Sequence, residues 1–285
     1  MTPAAAAPFL VAVMAGIAVL VVSPRLRPGA AAILLAITTA SLAVATVSVT
    51  LLFSYGLLAP SAWAAWCRRV LGQDAGPLAA AGVLAAATLL WRSALALRRM
   101  RVVRAAVRAA THGSDPVVVI DTDEPIAYAR AGRHPQVVVS RGLFERLEPR
   151  QRLCVLAHER AHLDGRHHLL TTVADVAAVV VPPLRPLARA TSAATERAAD
   201  EVAAVVVGDR ALVASTIAAA GLARHEWLPA AGGGAVLDRC HALLLPRRPV
   251  PRSVAALALN GVIVVVAGAS VQAHHFVEIG LHLLH

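Results

Sequence analysis

Three long apolar runs fill most of the first hundred positions, separated by turn-forming and arginine-bearing segments. The first covers about 8–22 and gives way to "SPRLRPG". Positive charge follows this run instead of preceding it, the reverse of a secretory signal, so a retained span is expected. The second run, about 31–58, is long enough to cross a bilayer with some tilt. Trp63 and Trp66 come after it as interfacial anchors. The third, about 77–97, carries Arg92 near one end, where a long side chain can snorkel to the interface. A fourth run, about 254–273, lies near the C-terminus.

Between the third and fourth runs the pattern changes. The stretches "DPVVVID" (115–121), "PIAYARAG" (125–132) and "PQVVVS" (135–140) are short β-branched runs bounded by turn residues. They predict a small antiparallel sheet. Helices are expected after it. Pro149 suits a first helical position, Gln151 falls near N3 and Gly165 suits the stop. The run at 169–184 is interrupted by Asp175 and the Pro182–Pro183 pair, which predicts a buried or membrane-lying helix and not a span. "AAGGG" (230–234) reads as a loop.

Composition supports a membrane setting. Of 285 residues 58% are hydrophobic and 15% charged, with a mean hydropathy of +0.65. Soluble domains carry less apolar content and more charge. The net charge of +10 comes from arginine, and arginine clusters beside the apolar runs, above all in "RRMRVVRAAVRAA". That placement fits loops on the cytoplasmic side of a bilayer. Few aromatics interleave with it, so direct nucleic-acid binding is not expected. Arg68 and Arg69 are the contrary charges. The balance predicts three spans in 1–98, one cytoplasmic domain over 99–251, and a fourth span with a short tail over 252–285. With three cysteines and no C-x-x-C spacing, neither a disulfide framework nor a thiolate zinc knuckle is expected, and Cys154 is expected to be a small buried residue.

The candidate chemistry lies in "LCVLAHERAHLDGRHH" (153–168). His158 and His162 are four apart, so on a helix both imidazoles stand on one face and can reach one zinc ion. Glu159 beside them is badly placed as a ligand and well placed as a general base. A solvated histidine-rich helix end, suggested by His167 and His168, is the bland reading. A catalytic zinc wants a third protein ligand and an open position. "TERAADEVA" supplies Glu196 as that ligand, with Asp200 one turn later to accept a hydrogen bond from a ligand imidazole. The plain alternative is a wet helix face. His225, Arg239 and His241 are candidate donors to an oxyanion.

The segments "VVVSRGL", "HERAH" and "ERAAD" together resemble the integral-membrane zinc metallopeptidases of the BlaR/MecR type. The resemblance covers nearly the whole chain and includes the span layout. It implies a mainly α membrane protein with four transmembrane helices and a cytoplasmic α+β, zincin-like (gluzincin) peptidase domain. It implies one zinc ion held by His158, His162 and Glu196, and catalysis by Glu159. By the same resemblance the enzyme is an endopeptidase of the bacterial plasma membrane. Its substrate would be a cytoplasmic or membrane protein such as a transcriptional repressor, held as a strand added to an edge offered by "PQVVVS" or its neighbour. The sensor domain that follows the fourth span in that family, with its S-x-x-K serine, has no counterpart here, so antibiotic sensing is not expected of this polypeptide. The histidines of the tail, His274, His275, His282 and His285, read as a frayed interfacial helix end. Two other readings stay open: an HtpX-like quality-control protease, and a non-catalytic membrane receptor or scaffold with a metal-stabilised domain.

Overall fold

The computed structural model describes residues 14–58, 75–109, 115–227 and 233–245, with isolated helical positions between 253 and 263. Trp63, Trp66, the body of the fourth run and the histidine tail lie outside the described residues.

Helix α1 (residues 14–22) passes through a 3-10 turn, Ser23–Arg25, into α2 (Pro28–Leu58). Proline opens α2 because its fixed φ suits a first turn that needs no N–H partner. Thr38, Thr39, Thr46 and Thr50 donate their hydroxyls to carbonyls four residues back, at 2.6–2.8 Å, so these polar groups are satisfied inside the helix. Helix α3 (Ala75–Ala109) runs through position 98 without a break. No glycine or proline interrupts "LRRMRVVRAAVRA", and Arg, Leu and Ala favour the helix. Among the described residues one stretch, Pro28–Ser48, is long and apolar enough to cross a membrane; Met14–Arg25 is a shorter apolar helix.

The three β-branched runs form strands β1 (Val117–Ile120), β2 (Ala127–Arg130) and β3 (Gln136–Ser140). The sheet is mixed and not antiparallel throughout. Its order is β1-β3-β2, with β1 parallel and β2 antiparallel to β3. The reason is the 121–126 connection. It carries the chain over the end of β3, so β3 returns between the two earlier strands. Gly142 makes this crossing possible, since a Cβ there would collide with the Asp123 backbone. Its N–H donates to Thr122 O at 2.9 Å. Ser140 Oγ accepts from Ile126 N (2.9 Å) and Leu143 N (3.1 Å), closing the corner and capping α4 (Arg141–Arg146). "VVVSRGL" is thus the structural device that seats the sheet, with Val137, Val139 and Leu143 in one buried cluster.

The remaining helices are α5 (Pro149–Asp164), α6 (His167–Val180), α7 (Arg185–Val207), α8 (Arg210–Trp227) and α9 (Gly233–Leu244). A 3-10 turn at Pro182–Leu184 reverses the chain between α6 and α7. At fourteen residues α6 is too short to span, as the interrupting Asp175 and prolines predict. Arg92 donates Nη1 to Val179 O (3.2 Å) and caps the end of α6. One buried cluster joins Val19, Leu35 and Leu42 of α1 and α2 to Ala177 and Val180 of α6 and Leu187 and Ala194 of α7. The N-terminal helices and the helices that carry the site therefore share a core.

Candidate metal centre

Helix α5 starts as its sequence predicts. Gln151 Oε1 accepts from Glu148 N at 3.0 Å, and Pro149 occupies the first turn. Arg152 Nε donates to the carbonyl oxygens of Phe144 and Leu147 (2.8 and 3.0 Å), which fixes α5 against the end of α4. The facing surfaces of α5 and α7 are rich in alanine: Ala157 and Ala161 on one, Ala199 and Ala203 on the other, all buried. Such small residues let the two axes approach closely. His158 and His162 then meet Glu196 across the contact.

The two Nε2 atoms lie 3.1 Å apart, and each is 3.5 Å from a Glu196 carboxylate oxygen. Donors bound tetrahedrally at about 2.0–2.2 Å from zinc stand about 3.3–3.6 Å from one another. The imidazole pair is close to that spacing, His158 meets Oε2 and His162 meets Oε1 of Glu196, and one donor atom from each of the three groups falls within 4.8 Å of the others. Two imidazoles and one carboxylate, with a fourth position left over, are a donor set suited to catalytic zinc, so the residues present fit the ion. The solvated-helix-end reading does not describe His158 and His162, whose side chains are 15% and 17% exposed; it does describe His168, which is exposed.

Asp200 is buried and accepts from His158 Nδ1 at 2.9 Å, leaving Nε2 to face the group. Arg239 of α9 grips the same carboxylate through Nε (2.8 Å) and Nη2 (2.6 Å) and reaches Glu196 Oε2 through Nη1 (3.0 Å). Of the three residues considered for an oxyanion, Arg239 thus directs its donors to two carboxylates. His241 is exposed, and the side chain of His225 lies outside the described residues. Burial disfavours the His158 cation, yet the hydrogen bonds to Asp200 and Glu196 outweigh it and raise its pKa. Burial and the charge on His158 lower that of His162. Burial also opposes the Glu196 and Asp200 carboxylates. The His158 hydrogen bond and the Arg239 charge overcome it at Glu196, and hydrogen bonds from Arg239 and His158 do so at Asp200. Both acids stay below their ordinary range and ionised.

The group opens onto a cavity of about 760 Å³. Glu159, half-buried, lines it beside the two histidines. Leu143, Val155, Val213, Ile217 and Val236 give it an apolar wall, and Ala127 and Ala129 of β2 border it. Strand β3, the "PQVVVS" segment, is paired on both sides; its neighbour β2 is the edge that faces the cavity. Ile126 and Ser140 form a hydrogen-bonded pair, so the alternation of an antiparallel ladder turns the N–H and C=O of Ala127 and Ala129 away from β3.

Residues 93–220 match the model of peptidase family M48. The matched segment contains His158, Glu159, His162, Glu196 and Asp200, and stops before Arg239. Peptidases of this family are zinc-dependent, and the match together with the His-His-Glu group supports a zinc metallopeptidase that acts on protein or peptide. The finer likeness to the BlaR/MecR type is carried by the three sequence motifs alone. No solved structure matches the chain. His167 was missed as a member of this site. It is buried and places Nδ1 3.1 Å from His162 Nδ1, a contact with no sequence signal beyond the run of histidines.

Proposed function

We propose that the protein is a membrane-embedded endopeptidase that uses one zinc ion held by His158, His162 and Glu196. The observation that carries this reading is the convergence of two imidazoles and one carboxylate from two helices, with one donor atom of each inside 4.8 Å of the others, beside a carboxylate that is not among them. When bound, zinc supplies Lewis acidity, acidifying water and polarising the scissile carbonyl. Glu159 takes the proton of the attacking water and delivers it to the leaving amine. Asp200 keeps the His158 proton on Nδ1, and Arg239 keeps Asp200 and Glu196 ionised and in place. Substrate adds as a strand along β2, its backbone paired with the outward groups of Ala127 and Ala129 and its side chains against the apolar wall.

The setting proposed is a bacterial plasma membrane, with spans in 1–98, a fourth at about 254–273, and the 99–251 region in the cytoplasm. The apolar stretch Pro28–Ser48 and the arginine-flanked runs support it. Regulatory cleavage of a protein such as a repressor is the biological role that the motif resemblance favours.

Glu159→Gln tests the chemistry. A mixed peptide library incubated with purified, zinc-loaded parent is expected to show defined cleavage products by mass spectrometry. Glu159→Gln is expected to retain one zinc per chain and lose cleavage by at least about a hundredfold. A Glu159→Gln protein as active as the parent refutes the mechanism.

A further inference from the structure

The corner between α5 and α6 has an unusual construction. It is two residues long, Gly165 and Arg166. The left-handed position expected of a glycine belongs instead to Arg166, with φ 48° and ψ 37°, while Gly165 has an ordinary right-handed φ of −78°. A side chain bearing a Cβ adopts that left-handed conformation reluctantly. Gly165 therefore serves some need other than backbone freedom.

That need is space. A Cβ on Gly165 would lie 2.5 Å from His167 Nε2, 2.8 Å from His167 Cδ2 and 3.0 Å from Ala161 O. The His167 ring fills the volume that any other residue would occupy. The corner folds this first residue of α6 back against the end of α5, where it is only 7% exposed. Its ring stands edge-on to His162, with centroids 4.9 Å apart and planes at 90°, and the two Nδ1 atoms meet at 3.1 Å.

We infer that His167 is a positioning residue for His162: it accepts the Nδ1 proton of that imidazole and so reserves Nε2 for the metal. The inference rests on the zinc reading above. His162 Nε2 already faces His158 Nε2 and Glu196, so the ring must carry its proton on Nδ1, and His167 Nδ1 is the group placed to receive it. The two ligand histidines thus have unlike partners. His158 leans on the Asp200 carboxylate, which Arg239 balances. A second carboxylate beside His162 would add negative charge to a site that already contains Glu196 and Asp200. A neutral imidazole orients the ligand without that charge. Partners of this kind hold a ligand ring in its binding tautomer and orientation.

Zinc affinity measured on the full-length protein in detergent, by competition with a chromophoric chelator, tests this. His167→Phe fills the ring volume without an acceptor. His167→Asn returns an acceptor near the place of Nδ1. His167→Phe is expected to weaken zinc binding about 10–100-fold. His167→Asn is expected to restore most of that loss, and both metal-free proteins to unfold near the parent midpoint. Gly165→Ala, which displaces the ring, is expected to weaken binding as His167→Phe does. Parent affinity in His167→Phe overturns the inference while leaving the zinc site intact, as does a His167→Asn protein no tighter than His167→Phe. A parent protein that takes up no zinc removes the zinc reading itself, and the inference with it.

Discussion

Arg239 bridges two carboxylates that belong to one face of one helix. Asp200 is 2% exposed and Arg239 20%, so both charges are largely withdrawn from water and depend on each other. Removing one partner of a buried pair leaves an uncompensated charge, which costs more than the pair contributes. Arg239→Leu is therefore expected to destabilise the metal-free protein by about 3–5 kcal/mol, read as a lower urea midpoint at unchanged slope. A midpoint equal to that of the parent contradicts the assignment. Little of this was legible in the chain. The spacing of His158, His162, Glu196 and Asp200 follows helical periodicity, so four groups could be placed on two faces before any coordinates. Arg239 stands 39 residues beyond Asp200, on a helix that no motif announces, and only tertiary packing brings it in. His167 was hidden differently. It lies within a run of histidines whose orientation depends on the Arg166 backbone and the missing Cβ of Gly165.

At the scale of elements the sheet gives the most specific prediction. Pairing turns the N–H of Ala129 away from β3 and toward the cavity, so a proline there removes no ladder bond. Ala129→Pro is expected to leave stability within about 0.5 kcal/mol of the parent. It should lower kcat/KM by about tenfold, the equivalent of one lost backbone hydrogen bond. Unchanged kcat/KM in a folded Ala129→Pro protein would show that substrate does not add along β2. Strands β1 and β3 were visible beforehand as valine-rich runs between turn residues, and β2, whose residues are Ala-Tyr-Ala-Arg, mainly by the turn residues that bound it. Their order was not. Parallel pairing of β1 with β3 is set by the route of 121–126 over the corner, which needs Gly142 bare and Ser140 as a two-way acceptor. Alternation along a strand carries no information about which neighbour it chooses. Helix α3 continues past the apolar run for a related reason. Charge changes sharply at 98, but helix propensity does not, and the backbone follows propensity.

Across the whole molecule, Val19 and Leu35 share a core with Val180 and Leu187, so the helices proposed to anchor the protein also brace α6 and α7. Arg92 closes the end of α6, and Arg197 donates to Pro24 O at 3.3 Å, adding polar ties across the same contact. The α5–α7 approach that brings His158, His162 and Glu196 together is thus built on a frame reaching back to the first described residues. The central claim is that His158, His162 and Glu196 bind a single zinc ion. Zinc X-ray absorption on the loaded full-length protein tests it most directly. The expected spectrum shows one zinc per chain with nitrogen and oxygen neighbours at about 2.0–2.2 Å, outer-shell scattering from two imidazoles, and loss of bound zinc in His162→Ala. Sulfur at about 2.3 Å, or a His162→Ala protein that retains the parent spectrum, would contradict it.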